Sequence, residues 1–344
     1  MIGMIVIQDN ILLKNFTTFK IGGPARYFVV AKTVEDVAEA VRFAHEKKLP
    51  TFVLGGGSNI LVRDEGFSGV VIKIELEGIE EVDKENGVVE VVAGAGVNWD
   101  TLVEYAVSRG LYGIENLSLI PGTVGAAPVQ NIGAYGAEII DTLSWVEVLD
   151  TETCEVKRMT SAECQFDYRK SIFKKPEGKK YSITRAALLL SKNGTLNTSY
   201  KDVADYITKH AVTNVALEKM RDIIIAIRRA KLPDLGEYGT AGSFFKNPII
   251  SEAYYNDLVK TVPDIPRYPA HEGRAKISAA WMLDNLCGFR GFREGNIGVY
   301  KNQALVIVNF GHASQKEISA LAEKMISCVK QKTGITLECE VEMI

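Results

Sequence analysis

Three stretches of this 344-residue chain place mobile protons or bare backbone where chemistry could use them. "VLGGGSNILV" (53–62) sets Gly55, Gly56 and Gly57 between Leu54 and the polar pair Ser58 and Asn59. Lacking β-carbons, such a loop lets backbone N–H groups converge on an anion; with the donors of Ser58 and Asn59 added, a diphosphate would fit. "SLIPGTVGAAPVQNIGAYGAEI" (118–139) is longer than compact domains usually tolerate in a loop without a function. Its small residues let backbone approach a flat ligand, and Ser118, Thr123, Gln130 and Asn131 could hydrogen-bond the edge of a heterocycle. Ile120, Val124, Val129 and Ile132 would be poorly placed in solvent. "EYGTAGSFFKNPII" (237–250) isolates one hydroxyl, Ser243, between a glycine and two phenylalanines. It reads either as a turn serine satisfying a backbone group or as a positioned proton donor.

The glycine loops do not match the common nucleotide fingerprints. "VLGGGSNILV" and "AGAGVNWDTL" (93–102) each carry G-x-G after a strand, but Ile60 and Trp99 stand where a Rossmann loop needs its third glycine. No G-K-[ST] ending is present, so the P-loop is absent as well. Towards the end of the chain, Glu338, Glu340 and Glu342 alternate with Leu337, Cys339 and Val341, which places the acids on one face of a final strand. Arg228 and Lys231 lie three apart near a helix end, where two cations can meet a diphosphate or complement the helix dipole.

The elements that must carry these groups alternate between strand and helix. "RYFVV" reads as a strand, 34–47 as a helix capped by Thr33, and "TFVL" as the next strand. "VVEVVAGAG" leads into a helix from about Asn98 with Trp99, Leu102, Val103 and Ala106 inward. "LSWVEVLD" and "AALLLS" read as strands, and "VALEKMRDIIIAIRRAK" as a helix closed by Pro233. A helix over 276–287, a strand "ALVIVN", a helix opened by the capping box Ser314 to Glu317, and a strand after Gly334 complete the chain. The fold class is therefore mixed α/β.

Bulk properties narrow the partners. At this length two or three domains are expected. The net charge of −3, from 40 basic and 43 acidic side chains well mixed, gives no basic field for nucleic acid. "MIGMIVIQDN" reads as an early strand, and it has neither the basic start of a signal peptide nor the length of a membrane span. The five cysteines, Cys154, Cys164, Cys287, Cys328 and Cys339, are scattered without C-x-x-C spacing, so reduced cytosolic thiols are expected and no metal site is indicated.

Taken in order, "NFTTFKIGG" (15–23), 54–62, 118–139, "FDYRKSIFK" (166–174), "KLPD" (231–234), "GSFFKNP" (242–248) and "NQALVIVN" (302–309) resemble the UDP-N-acetylenolpyruvoylglucosamine reductase (MurB) family over almost the entire chain. The resemblance implies a flavoenzyme of peptidoglycan synthesis with three domains, 1–78, 79–230 and 231–344. The first two would form a vanillyl-alcohol-oxidase-type FAD-binding unit, and the third would bind substrate. It implies that NADPH reduces FAD, and that hydride then passes from flavin N5 to the enolpyruvyl C3 of UDP-N-acetylglucosamine enolpyruvate. Protonation at C2 by Ser243 would give UDP-N-acetylmuramate.

The same resemblance assigns non-covalent FAD contacts to Leu54, Gly55, Gly56, Gly57, Ser58 and Asn59. It assigns others to Ser118, Pro121, Gly122, Thr123, Gly125 and Ala126, and to Gln130, Asn131, Gly133 and Ala134. Arg169 would grip the substrate carboxylate through its planar fork, which a lysine could not copy; pairing with Asp167 is the alternative. Glu340 would assist as a protonated acid favoured by burial, with Glu338 its rival. Tyr168, Arg228, Lys231, Asn247 and Gln303 would bind substrate, and Tyr200 in "SYKDVADY" would cover its diphosphate, as in the longer form of the family. A monomeric cytoplasmic enzyme is expected. Two other readings stay open: an oxidase of the same fold, although His45, His210, His271 and His312 all lie outside the glycine loops, and a sugar-nucleotide-binding protein without catalysis.

Overall fold

In a computed structural model the described residues are 5–268 and 270–344. Residues 1–4 of the expected first strand lie outside them, and a strand is formed over Ile7–Leu12. The chain divides into two units, one built from residues 1–11, 25–56 and 67–229, the other from 12–24, 57–66 and 230–344.

The first unit contains two large sheets besides the short pair Gly133–Ala134 and Ala137–Glu138. One has the strand order Ile7–Leu12, Pro24–Ala31, Phe67–Ile74, Thr51–Leu54, with Phe67–Ile74 parallel to both Pro24–Ala31 and Thr51–Leu54. The other is antiparallel throughout, in the order Val156–Thr160, Leu143–Asp150, Tyr181–Ser191, Val88–Gly94, Ile79–Asp83. Local sequence explains the first helix, α1 (Val34–Glu46). The Thr33 hydroxyl accepts from the Asp36 N–H while Asp36 accepts from the Thr33 N–H, and Val37, Ala38 and Val41 form the buried stripe. In α2 (Trp99–Ser108) Asn98 is the cap, and Trp99, Leu102, Val103 and Ala106 are buried as their spacing predicts. Both stripes join one core with Val29, Ile72, Val91 and Val148. A satellite cluster joins α3 (Lys201–Lys209) to α4 (Leu217–Lys231) through Val203, Met220, Ile223, Ile224 and Ile227.

The second unit holds two three-stranded antiparallel sheets, Ile249–Ser251, Arg274–Ile277, Arg267–Tyr268 and Arg293–Glu294, Ile297–Val299, Ile307–Asn309. Its helices are α5 (Glu252–Leu258), the single turn α6 (Ala279–Trp281) and α7 (Gln315–Thr333). The capping box of Ser314 and Glu317 opens α7, whose Ile318, Leu321, Ala322, Met325 and Val329 enter a core with Phe244, Phe245, Ile277 and Ile307.

Three expectations are corrected here. Residues 274–277 form a strand, so the helical segment starts only at Ala279 and continues as a π-helical turn over Met282–Leu286. Pairing of Arg274–Ile277 with strands on both sides overrides the helical preference of that stretch. The last strand is confined to Glu342–Met343, parallel to Ile60–Leu61. Before it the chain is irregular, and Cys339 is exposed rather than sharing an inner face with the buried Leu337 and Val341. Finally, Cys287 and Cys328 are joined in a disulfide across 41 residues, so not all five cysteines are free thiols. No local motif announces that pair, because packing of the 282–286 turn near α7 brings the two α-carbons to 6.1 Å.

Candidate functional site

Within the first unit, the strand Thr51–Leu54 ends with Leu54 opposite Lys73, and the glycine loop begins at its carboxyl end, where parallel sheets commonly bind ligands. A β-carbon on Gly56 would lie 2.7 Å from Cα of Gly122, and one on Gly55 would lie 2.8 Å from the Thr123 hydroxyl and 3.2 Å from Ala126. The first loop therefore packs backbone-to-backbone on the second, which is why these positions are glycine. The second loop is anchored on α2 and on the turn that leads into it. Gly122 O accepts from the Trp99 N–H at 3.1 Å, the Val124 N–H donates to Val97 O at 2.9 Å, and the Gly125 N–H donates to Ala95 O at 2.9 Å. Gly125 has no room for a side chain, since a β-carbon would come within 2.6 Å of the Ala95 methyl.

These residues suit the dinucleotide FAD. The Thr123 hydroxyl is buried with no hydrogen-bond partner among the described residues, a condition rare for a buried polar atom unless a ligand or water satisfies it. Lys73, which sequence reading missed, donates from Nζ to Gly55 O at 2.8 Å. Burial lowers its pKa, while Glu75 and Glu77 oppose that shift. A lysine in the apolar run "VVIKI" is the signal that could have found it, since lysine seldom occupies a buried strand without a partner. Gly56→Val is expected to lower FAD occupancy at least about tenfold, because backbone must move to admit the side chain. Flavin absorbance per protein, read beside far-ultraviolet circular dichroism, checks this.

Other residues of the second loop are held by the protein itself. The Ser118 hydroxyl donates to Glu115 O at 2.5 Å. Asn131, left-handed at φ 48°, donates from Nδ2 to Glu138 Oε2 at 2.6 Å and to Asp167 O at 3.2 Å, and accepts from the Ile140 N–H at 3.3 Å. Its amide shapes the loop. Pro121 precedes the left-handed Gly122, Gln130 closes a 3₁₀ turn, and Gly133–Ala134 pairs with Ala137–Glu138.

Arg169 is built onto this loop. It sits in the tight turn Asp167–Lys170 at φ 53°, a left-handed conformation uncommon for a non-glycine residue. Nη1 donates to Asn131 O at 3.2 Å and Nη2 to Gly133 O at 2.6 Å, while Cζ lies 5.4 Å from the centre of the Tyr168 ring. Two of the five guanidinium donors are thereby fixed, which orients the fork. Tyr200, 40% exposed, precedes α3 and meets Tyr135 edge-on with ring centres 5.5 Å apart. Arg228 on α4 donates from Nε to Leu119 O at 3.2 Å, and burial depresses its pKa against the opposing influence of Tyr135 and Asp100. Tyr135 is a second residue that sequence reading did not single out.

Within the second unit the setting of Ser243 becomes clear. Gly242 is left-handed at φ 72°, and its N–H donates to the Thr240 hydroxyl at 3.2 Å, which itself donates to Ile307 O at 2.8 Å. Ser243 bridges to Val306 in antiparallel fashion, and the Phe244 N–H donates to Leu305 O at 2.8 Å. Phe244 and Phe245 are buried and the serine is half-buried. The phenylalanines thus anchor a short extended segment that presents the hydroxyl.

Glu340 runs beside that segment. Its N–H donates to Phe244 O at 2.8 Å, and its carbonyl accepts from Asn59 Nδ2 at 3.2 Å. Asn59 also accepts through its own carbonyl from the Glu342 N–H at 3.0 Å, so the end of the first glycine motif fixes the chain around Glu340. Gly57 is left-handed at φ 63°, and Ser58 follows it. Glu338 is 73% exposed and pairs with Lys246 at 3.3 Å, whereas Glu340 is half-buried. Asn247 accepts from the Ala279 N–H at 2.9 Å, Gln303 accepts from the Leu305 N–H at 3.3 Å, and Lys231 closes α4.

Comparison with known proteins accords with these features. Residues 25–160 match the family model described as FAD binding domain, and residues 234–344 match UDP-N-acetylenolpyruvoylglucosamine reductase, C-terminal domain. The UDP-N-acetylenolpyruvoylglucosamine reductase of Flavobacterium johnsoniae is 40% identical, covering 98% of this chain and 99% of that protein. The enzyme of the same name from Pseudomonas aeruginosa is also 40% identical, covering 97% and 98%. Among solved structures, UDP-N-acetylenolpyruvylglucosamine reductase (MurB) from Thermus caldophilus superposes with a TM-score of 0.69 at 27% identity, covering 99% of both chains. With glycine-lined loops that suit a dinucleotide and relatives matched from end to end, the chain belongs to the UDP-N-acetylenolpyruvoylglucosamine reductase family.

Proposed function

We propose that this chain reduces UDP-N-acetylglucosamine enolpyruvate to UDP-N-acetylmuramate for peptidoglycan synthesis, with FAD as cofactor and NADPH as co-substrate. The observation that carries the reading is family likeness over 98% of the chain at 40% identity. FAD held in the site would supply two-electron hydride chemistry between NADPH and the enolpyruvyl group. The residues of the chain supply binding, orientation and the proton.

In the proposed assignment Ser243 gives its hydroxyl proton to C2, and the presentation of that hydroxyl on an anchored segment supports the role. As charge develops on the substrate carboxylate, Arg169 stabilises it, supported by the two loop carbonyls that fix its fork. Glu340 is preferred to Glu338 because its N–H is bonded to the residue after Ser243, whereas Glu338 is exposed. Leu54 to Asn59, with Ser118, Pro121 to Thr123, Gly125, Ala126, Gln130, Asn131, Gly133 and Ala134, are proposed to hold FAD. Tyr168, Tyr200, Arg228, Lys231, Asn247 and Gln303 are proposed to bind the nucleotide sugar. Separate sheets over 7–74 and 79–191 support division of the cofactor-binding part near residue 78, with a third domain from 231. We also propose a cytoplasmic monomer; no described helix is long and apolar enough to cross a membrane.

Glu340→Gln is expected to slow turnover about 10²-fold, whereas Glu338→Gln stays within about twofold, since an exposed ion pair contributes little. Steady-state rates of the two variants check the assignment. For the function itself, NADPH oxidation should depend on the enolpyruvyl nucleotide and yield a product two hydrogens heavier. Denaturation should release FAD into solution. No substrate-dependent NADPH oxidation would defeat the reading.

A further inference from the structure

The segment before Pro121 contains a strained peptide held from both sides. Leu119 has φ 58°, a left-handed conformation that strains any residue carrying a β-carbon. Its N–H donates to Asp100 Oδ1 at 2.5 Å, and its carbonyl accepts from Arg228 Nε at 3.2 Å. Asp100 is fixed by the fork of Arg221, with Nη1 to Oδ1 at 2.6 Å and Nη2 to Oδ2 at 3.0 Å. The side chains of Arg221 and Asp100 are 11% and 25% exposed, so this bidentate pair is screened less than one on the open surface.

We infer that Asp100 and Arg221 are positioning residues for FAD, acting together to hold Leu119 in the conformation that delivers the 118–126 loop to the cofactor. The inference rests on the proposal that this loop binds FAD. Adjacent contacts support it: Trp99 Nε1 donates to Leu117 O at 3.0 Å, and the Trp99 N–H to Gly122 O at 3.1 Å, so the start of α2 grips the loop at residues 117, 119 and 122. Burial alone would raise the Asp100 carboxyl pKa, but hydrogen bonds from Arg221 and Leu119 and the charges of Arg221 and Arg228 outweigh it, and the net shift is downward. The carboxylate remains ionised for both contacts. An ion pair that only tied α2 to α4 would have no bearing on the conformation of Leu119.

That difference is measurable as coupling between Asp100→Ala and Leu119→Gly, read as the rate of FAD release from each holoenzyme after dilution. Asp100→Ala is expected to accelerate release about tenfold or more, the effect of losing a partly buried charged hydrogen bond. In the Leu119→Gly background the same change should cost about threefold or less, because glycine adopts positive φ unaided. An equal cost in both backgrounds, or no cost in either, would overturn the inference. If Asp100→Ala yields no folded holoenzyme, Arg221→Met enters the same cycle with the same expected coupling. Gly122→Val separates the two levels of the argument. If that variant retains FAD normally, the loop assignment fails and takes the inference with it. Rapid release from Gly122→Val beside an additive cycle would overturn the inference alone.

Discussion

Ser243→Ala should leave NADPH-driven bleaching of the flavin nearly unchanged and slow its reoxidation by the enolpyruvyl nucleotide roughly 10²- to 10⁴-fold, the range for removing a positioned proton donor. The argument starts from the backbone. Gly242 supplies a left-handed turn, Phe244 and Phe245 are buried, and Ser243 bridges to Val306. Alanine can occupy the same backbone position, so folding and FAD content should persist and the loss should fall on proton transfer alone. Anaerobic stopped-flow spectroscopy separates the two half-reactions. A reoxidation rate equal to that of the unaltered enzyme would remove Ser243 from the chemistry.

Arg169→Lys carries the second large expectation. Nη1 and Nη2 reach the carbonyls of Asn131 and Gly133, and the planar group holds its donors in fixed directions. A lysine ammonium is a single compact cation on a flexible stem and cannot reproduce that fork. If the arginine stabilises charge that develops on the substrate carboxylate, kcat and kcat/KM should fall together by about 10²- to 10³-fold. FAD content should remain near normal. A rise in KM at constant kcat would instead assign Arg169 to uniform substrate binding.

Features encoded locally were legible in the sequence. Thr33, Asn98 and Ser314 cap helices because a side-chain oxygen three residues before a free N–H needs no distant partner. The glycines at 55, 56, 122 and 125 read as backbone free to approach a ligand, whereas the packing of one glycine loop on the other was not visible. Tertiary pairing hid the rest. Residues 274–277 become a strand only because Ile249–Ser251 and Arg267–Tyr268 flank them. The disulfide between Cys287 and Cys328 depends on where the 282–286 turn meets α7.

The same distinction applies to the candidate site. Ser243 and Arg169 were visible as residue types within long motifs, but the left-handed backbone at Arg169 and its anchoring on 131–133 were not. Glu340 and Glu338 could not be separated by alternation alone. Their difference comes from the Phe244 and Asn59 contacts on one and the exposed Lys246 pair on the other. Lys73 behind Gly55 carries no motif of its own, and the carbonyl it reaches lies 18 residues away in sequence.

The most direct test is a single turnover without oxygen. Holoenzyme bleached with one equivalent of NADPH is mixed with UDP-N-acetylglucosamine enolpyruvate, and flavin absorbance is followed while product is quantified. The yellow oxidised spectrum should return with one UDP-N-acetylmuramate formed per flavin. Flavin that stays bleached until air is admitted, with the enolpyruvyl nucleotide recovered intact, would contradict the account.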